Sequence, residues 1–135
     1  DTISEYKLND YIMNLGYVSH QEAVKQQRKS QVLLLIEINS FVTKSIIPGK
    51  LFEYMVSERP IIAIGPEGSD FAEIIADTNT GIFFTYDEKE KLKTLLLKYY
   101  QEYQNQNLKV HAVGLRQYSR KSLTEQLFQI LNHNS

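Results

Sequence analysis

Three short apolar runs, none interrupted by proline and each leading toward a segment of helical period, constrain this chain most. They are Val32-Leu33-Leu34-Leu35-Ile36, Ile61-Ile62-Ala63-Ile64 and Ile82-Phe83-Phe84. A continuous apolar run of this length is expected of a strand covered on both faces, as in a parallel sheet. Strand and helix alternate from Leu15 onward. The expected class is therefore α/β, a three-layer parallel sheet with helices on both faces. Ligands of such sheets sit beyond the carboxyl ends of the strands. Gly16 to Ser19, Ile36 to Leu51 and Gly65 to Asp70 fall on that edge.

The connecting segments carry their own punctuation. Asp1 to Asn14 reads as the end of a helix leading into a short strand, Leu15-Gly16-Tyr17-Val18, and the absence of an initial Met suggests a fragment. Ser19 with Glu22 forms a capping-box pattern for a helix through about Arg28 whose exposed face is Gln, Lys and Arg. Glu37 to Ser45 is expected to be a loop. Ser69 or Asp70 caps a helix with Phe71, Ile74 and Ile75 on one side. Asp87 with Glu90 opens a long helix carrying Leu92, Leu95, Leu96, Tyr99 and Tyr103, which frays over Gln101 to Asn107. A last helix follows Ser122, where Ser122 and Glu125 make a second capping box and Leu123, Leu127, Ile130 and Leu131 an apolar stripe.

Composition removes several function classes. At 135 residues the chain is one domain, residues 1–135, long enough to bury roughly two-thirds of its unfolded surface. No apolar run approaches the ~20 residues of a membrane span, and no signal peptide is evident. With 15 basic and 16 acidic residues, nothing suggests electrostatic attraction to nucleic acid. The chain has no cysteine, which excludes thiol chemistry and Cys-based zinc sites and is compatible with a cytoplasmic address. His20, His111 and His133 show no metal-ligand spacing, so no metal is expected, and no organic cofactor either.

The stretch Ser45 to Gly65 carries the chemistry. Leu51 with Met55 and Phe52 with Val56 are i,i+4 apolar pairs on a helix opened by Pro48 and Gly49; Lys50, Glu53 and Ser57 fall on the opposite stripe. Free backbone N–H groups at such a helix start can hold a phosphate, with Lys50 as an added cation. Glu53, one turn on, is a carboxylate able to accept two hydrogen bonds from a diol. Pattern alone favours a plainer reading, an i,i+3 Lys50–Glu53 surface couple and simple helix punctuation by Pro48-Gly49. A P-loop is excluded, since Lys44 stands where it needs glycine and Leu51 where it needs Ser or Thr. Gly65 to Gly68 falls short of a dinucleotide fingerprint. Nothing forms a Ser/His/Asp set or a carboxylate pair at acid/base spacing, so the catalytic residues stay unknown.

The strings GYVSHQE, VLLLI, IIPGKLFEYMVSERPIIAIGPEGSDFAEIIADTNTGIFF and YSRKSLTEQLFQIL resemble the C-terminal half of GT-B glycosyltransferases of the group 1 (GT4-like) type. PGKLFEYMVSERPIIAIG is the most specific of them. The resemblance implies a Rossmann-like domain that binds a nucleotide-sugar donor, with the acceptor held by a separate N-terminal domain of the same polypeptide, which would also supply any peripheral contact with a membrane. It implies that Glu53 holds the ribose hydroxyls, that Gly49, Lys50 and Leu51 hold the diphosphate, and that the backbone near Tyr17 and Val18 faces the base. Ser45 stands where the family's E-x7-E pattern has its first glutamate, near the donor sugar. Such enzymes do not normally need a divalent metal. Two other functions fit the same pattern: a nucleotide-sugar epimerase of related two-domain fold, and a non-enzymatic, flavodoxin-like interaction module.

Overall fold

The computed structural model describes residues 1–40 and 42–133, and the side chains of all of these except 120–123. The three apolar runs become strands β1 (Leu33–Ile36), β2 (Ile61–Ile64) and β3 (Gly81–Phe84). They pair in parallel in the order β1-β2-β3, with Leu33 opposite Ile61 and Ile61 opposite Gly81. The chain is thus α/β, with a three-stranded parallel sheet compatible with a Rossmann-like fold. Parallel strands need crossovers. Helix α3 (Lys50–Met55) lies between β1 and β2, and α4 (Asp70–Thr78) between β2 and β3.

Two apolar clusters occupy the two faces of the sheet. On one, Leu35, Ile61 and Ala63 pack with Leu51 and Met55 of α3 and Phe71 and Ile75 of α4. Phe71 is wholly buried and meets Phe83 edge to face, the ring centroids 5.4 Å apart. On the other, Ile62 and Phe84 pack with Leu95 of α5 (Lys89–Gln104), flanked by Leu92 and Tyr99.

Helix α5 covers less than its sequence stripe implies. Leu96 and Tyr103 are exposed, and so are Leu34 and Ile36 of β1, at 54% and 60%. The expectation that β1 is covered on both faces is therefore corrected. β1 is an edge strand here, and α5 reaches only the β2–β3 side of that face.

The opening differs most from expectation. Helix α1 (Thr2–Glu5) and a 3-10 turn at Asn9–Tyr11 are followed by irregular chain, and Leu15 to Val18 forms no strand. The reason is local: the Asn14 side chain accepts the Gly16 N–H at 2.8 Å, and Gly16 sits at φ 63, which breaks extension. Helix α2 (His20–Lys29) then starts as its cap dictates, with the Ser19 hydroxyl accepting the Glu22 N–H at 3.1 Å. The return half of that box is not made, because the Glu22 carboxylate takes the Gln26 amide at 2.6 Å.

Other caps are replaced by better-placed groups. Ser69 holds the N-cap position of α4, yet its hydroxyl donates to the Pro66 carbonyl at 2.5 Å. At α5 the expected Asp87–Glu90 pair gives way to Glu88, whose carboxylate accepts the Thr85 N–H at 3.0 Å, while the Thr85 hydroxyl donates to Asp87 at 2.5 Å. The Lys91 ammonium chiefly holds the Glu88 carboxyl below its usual range, as the Thr85 hydroxyl does for Asp87. Helix α5 runs on to Gln104 rather than fraying from Gln101.

Residues 108–113 then return along the amino ends of the strands, where the Val113 N–H donates to the Thr78 carbonyl and the Asn79 amide to the His111 carbonyl. The last helix, α6 (Arg120–His133), begins ahead of Ser122; the side chains of Ser122 and Leu123 lie outside the described ones. Leu127, Ile130 and Leu131 on α6 are exposed. Among the described residues no helix is long and apolar enough to cross a membrane.

Candidate functional site

The loop leaving β1 turns through a 3-10 segment, Val42–Ser45, held by the Thr43 hydroxyl, which donates to the carbonyls of Ile38 and Ser40. It then enters α3. Gly49 already has helical angles, φ -59 and ψ -31, and like Lys50 it is exposed. The N–H groups of Gly49 and Lys50 make no hydrogen bond among the described residues. The Leu51 N–H donates to the Pro48 carbonyl at 3.0 Å, so the amide seat expected over Gly49 to Leu51 is narrowed to the first two. The Leu51 side chain is wholly buried and anchors the helix start to the core.

The Lys50–Glu53 surface couple is not formed, and among the described residues Lys50 has no ion pair. Glu53 instead turns toward α2. Its Oε1 accepts from Gln27 Nε2 at 3.2 Å and lies 3.9 Å from His20 Nδ1. The Glu53 side chain is only 29% exposed, and a carboxylate withdrawn that far from water requires a donor. Gln27 supplies it. The neighbouring Tyr54 phenol is pushed above its usual range, first by burial and then by the Glu53 charge.

The remaining predicted residues are less closely gathered. Ser45 is exposed at the end of its 3-10 turn. Tyr17 is fully exposed and Val18 exposed, and the strand expected to carry them is absent. They connect to the site only through the chain, since His20, beside Glu53, follows Val18 by two residues. Of the apolar pairs on α3, Leu51 and Met55 are buried, Phe52 packs against Tyr118, and Val56 is exposed. Ser57 is buried rather than on the polar stripe, because its hydroxyl donates to the Tyr54 carbonyl at 2.6 Å. One further contact crosses the carboxyl edge: the Tyr86 hydroxyl donates to the Glu37 carbonyl, tying the loop after β3 to the loop after β1.

Gln27 is the residue that sequence reasoning missed; His20, read as a helix-start surface residue, is indeed exposed at the start of α2. A signal for Gln27 was present, because it falls four residues after Ala23 and three after Val24, on the same half-buried side of α2.

The largest of the described cavities, about 640 Å³, lies at the opposite edge, among Met55, Val56, Glu58, Arg59, Lys109 and His111. Of its lining donors the Arg59 guanidinium is committed, binding the Arg28 carbonyl at 3.0 and 2.8 Å, whereas the N–H groups of Lys109 to Ala112 and the Lys109 ammonium have no partner among the described residues. The Gly49 and Lys50 amides and the Lys50 ammonium, also without partners among the described residues, lie at the other end, at the start of the helix that carries Glu53. Among the described residues no group of three or more His, Cys, Asp or Glu is placed to hold a metal ion. No protein-family model, no curated protein and no solved structure matches the chain.

Proposed function

We propose that the chain is the donor-binding domain of a GT-B glycosyltransferase of the group 1 type, binding a nucleoside diphosphate sugar for transfer to an acceptor held by another domain. The observation that carries this reading is the Glu53 carboxylate, half-withdrawn from water beside a helix start whose first two amides and Lys50 have no partner among the described residues. In this reading the two oxygens of Glu53 accept the two ribose hydroxyls. The diphosphate takes the N–H groups of Gly49 and Lys50 and the Lys50 ammonium. Offsetting the leaving diphosphate's charge with backbone amides and a basic side chain is the part of sugar transfer that such a domain performs.

The test is calorimetric titration of the full chain with UDP, GDP, CDP and ADP. Saturable binding of one of the four supports the reading and names the base. Absence of saturable binding for all four overturns it and leaves the flavodoxin-like interaction module in its place.

A further inference from the structure

We infer that Gln27 is a positioning residue, which fixes the Glu53 carboxylate in the orientation that receives a ribose diol. The inference rests on the donor-site reading above and adds to it a residue on a different helix. A glutamate carboxylate rotates broadly about its last torsion, so a lone Glu53 would present its oxygens in many directions. The Gln27 amide stops this by donating to Oε1 at 3.2 Å. Because an ionised carboxylate only accepts, the amide must turn its NH2 group toward Glu53.

The donor is itself held firmly. Helix α2 is capped by Ser19 at its start, and the carbonyls on both sides of Gln27 are engaged. The Gln26 carbonyl accepts the Ser30 hydroxyl at 2.9 Å, and the Arg28 carbonyl accepts two bonds from Arg59. The turn carrying Gln27 is thereby fastened to the segment that follows α3.

The bond leaves room for a ligand. A carboxylate offers about four acceptor positions, of which Gln27 takes one. His20 Nδ1, at 3.9 Å from the same oxygen, is beyond hydrogen-bond reach. One position on Oε1 and both on Oε2 stay open, which suffices for two hydroxyls, one to each oxygen.

The experiment compares wild type with Gln27→Leu, which removes the donor, and Gln27→Lys, which restores one. Each is titrated with the tightest-binding of UDP, GDP, CDP and ADP and with its 2′,3′-dideoxy counterpart. Positioning predicts that Gln27→Leu weakens the diol nucleotide about three- to ten-fold, the effect of leaving one rotamer-rich side chain to be ordered on binding. It also predicts unchanged affinity for the dideoxy nucleotide, recovery in Gln27→Lys, and no further loss when Gln27→Leu is added to Glu53→Ala. Equal weakening of both nucleotides, or of neither, overturns the inference while the donor site stands. Failure of wild type to bind any of the four removes the donor site, and the inference with it. Gln27→Met, of similar length, serves as the donor-free variant if Gln27→Leu does not fold.

Discussion

Gly81→Val is expected to destabilise the fold by about 3 kcal/mol or more, at or beyond the upper end of the usual penalty for overpacking a core. Gly81 opens β3 directly opposite Ile61 of the central strand. A Cβ added there would lie 2.0 Å from the Ile61 carbonyl oxygen and 2.7 Å from its carbon. Both are backbone atoms, so no side chain can move aside to make space. β2 and β3 would have to separate where Ile61 N–H donates to the Thr80 carbonyl. Total stability of a domain is only about 5–15 kcal/mol, so a loss of this size is visible directly in a urea melt followed by circular dichroism. Gly49→Ala is the internal control. Its Cβ would meet nothing within 4 Å, its φ is already helical, and its midpoint should hold or rise slightly. A Gly81→Val melt that overlays wild type would show that the β2–β3 approach is looser than described.

Glu53→Ala is expected to weaken binding of the nucleoside diphosphate at least ten-fold while leaving the melting curve nearly unchanged. Hydrogen bonds to a charged group contribute about 1.5–3 kcal/mol, and about 1.4 kcal/mol is a factor of ten in affinity. Two hydroxyls lose their acceptor together in this variant. Stability is spared because Glu53 is partly solvated and makes one long hydrogen bond, which water can replace for Gln27. Paired titration and denaturation of the same preparation checks both halves. Unchanged affinity in Glu53→Ala would remove the ribose role.

Much of the fold was legible because its elements are bounded by residues with local meaning. Pro60 and Gly65 bracket β2, and the Ser19 hydroxyl starts α2 by a bond within four residues of chain. What escaped depends on partners distant in sequence. A continuous apolar run looks the same whether or not its second face is covered, so the exposed Leu34 and Ile36 could not be told from buried ones. The apolar stripe of α6 misled in the same way. Leu15 to Val18 has strand-forming residues, but the Asn14–Gly16 turn prevailed over propensity.

The site divides along the same line. The helix start at Gly49 and Lys50 was readable from spacing, whereas the half-buried place of Glu53 was not, since spacing sets it on the polar stripe with Lys50. The loss of the Leu51 amide to Pro48 was not, since it depends on how tightly the first turn winds. Nor was the choice of Gln27 over Lys50 as partner of Glu53, a contact spanning 26 positions. Lys50 was the expected partner by charge and proximity; Gln27 takes its place because its amide reaches the carboxylate from α2 where water is partly excluded.

The most direct test of the donor site is an amide-resolved NMR titration of the isotopically labelled chain with the four nucleoside diphosphates. One nucleotide should produce saturable shifts at Gly49, Lys50 and Glu53 and along His20 to Gln27, with Glu58, Arg59 and Lys109 to Ala112 unmoved. Shifts confined to that second group would put the ligand at the amino edge of the sheet and contradict the site assigned to Glu53.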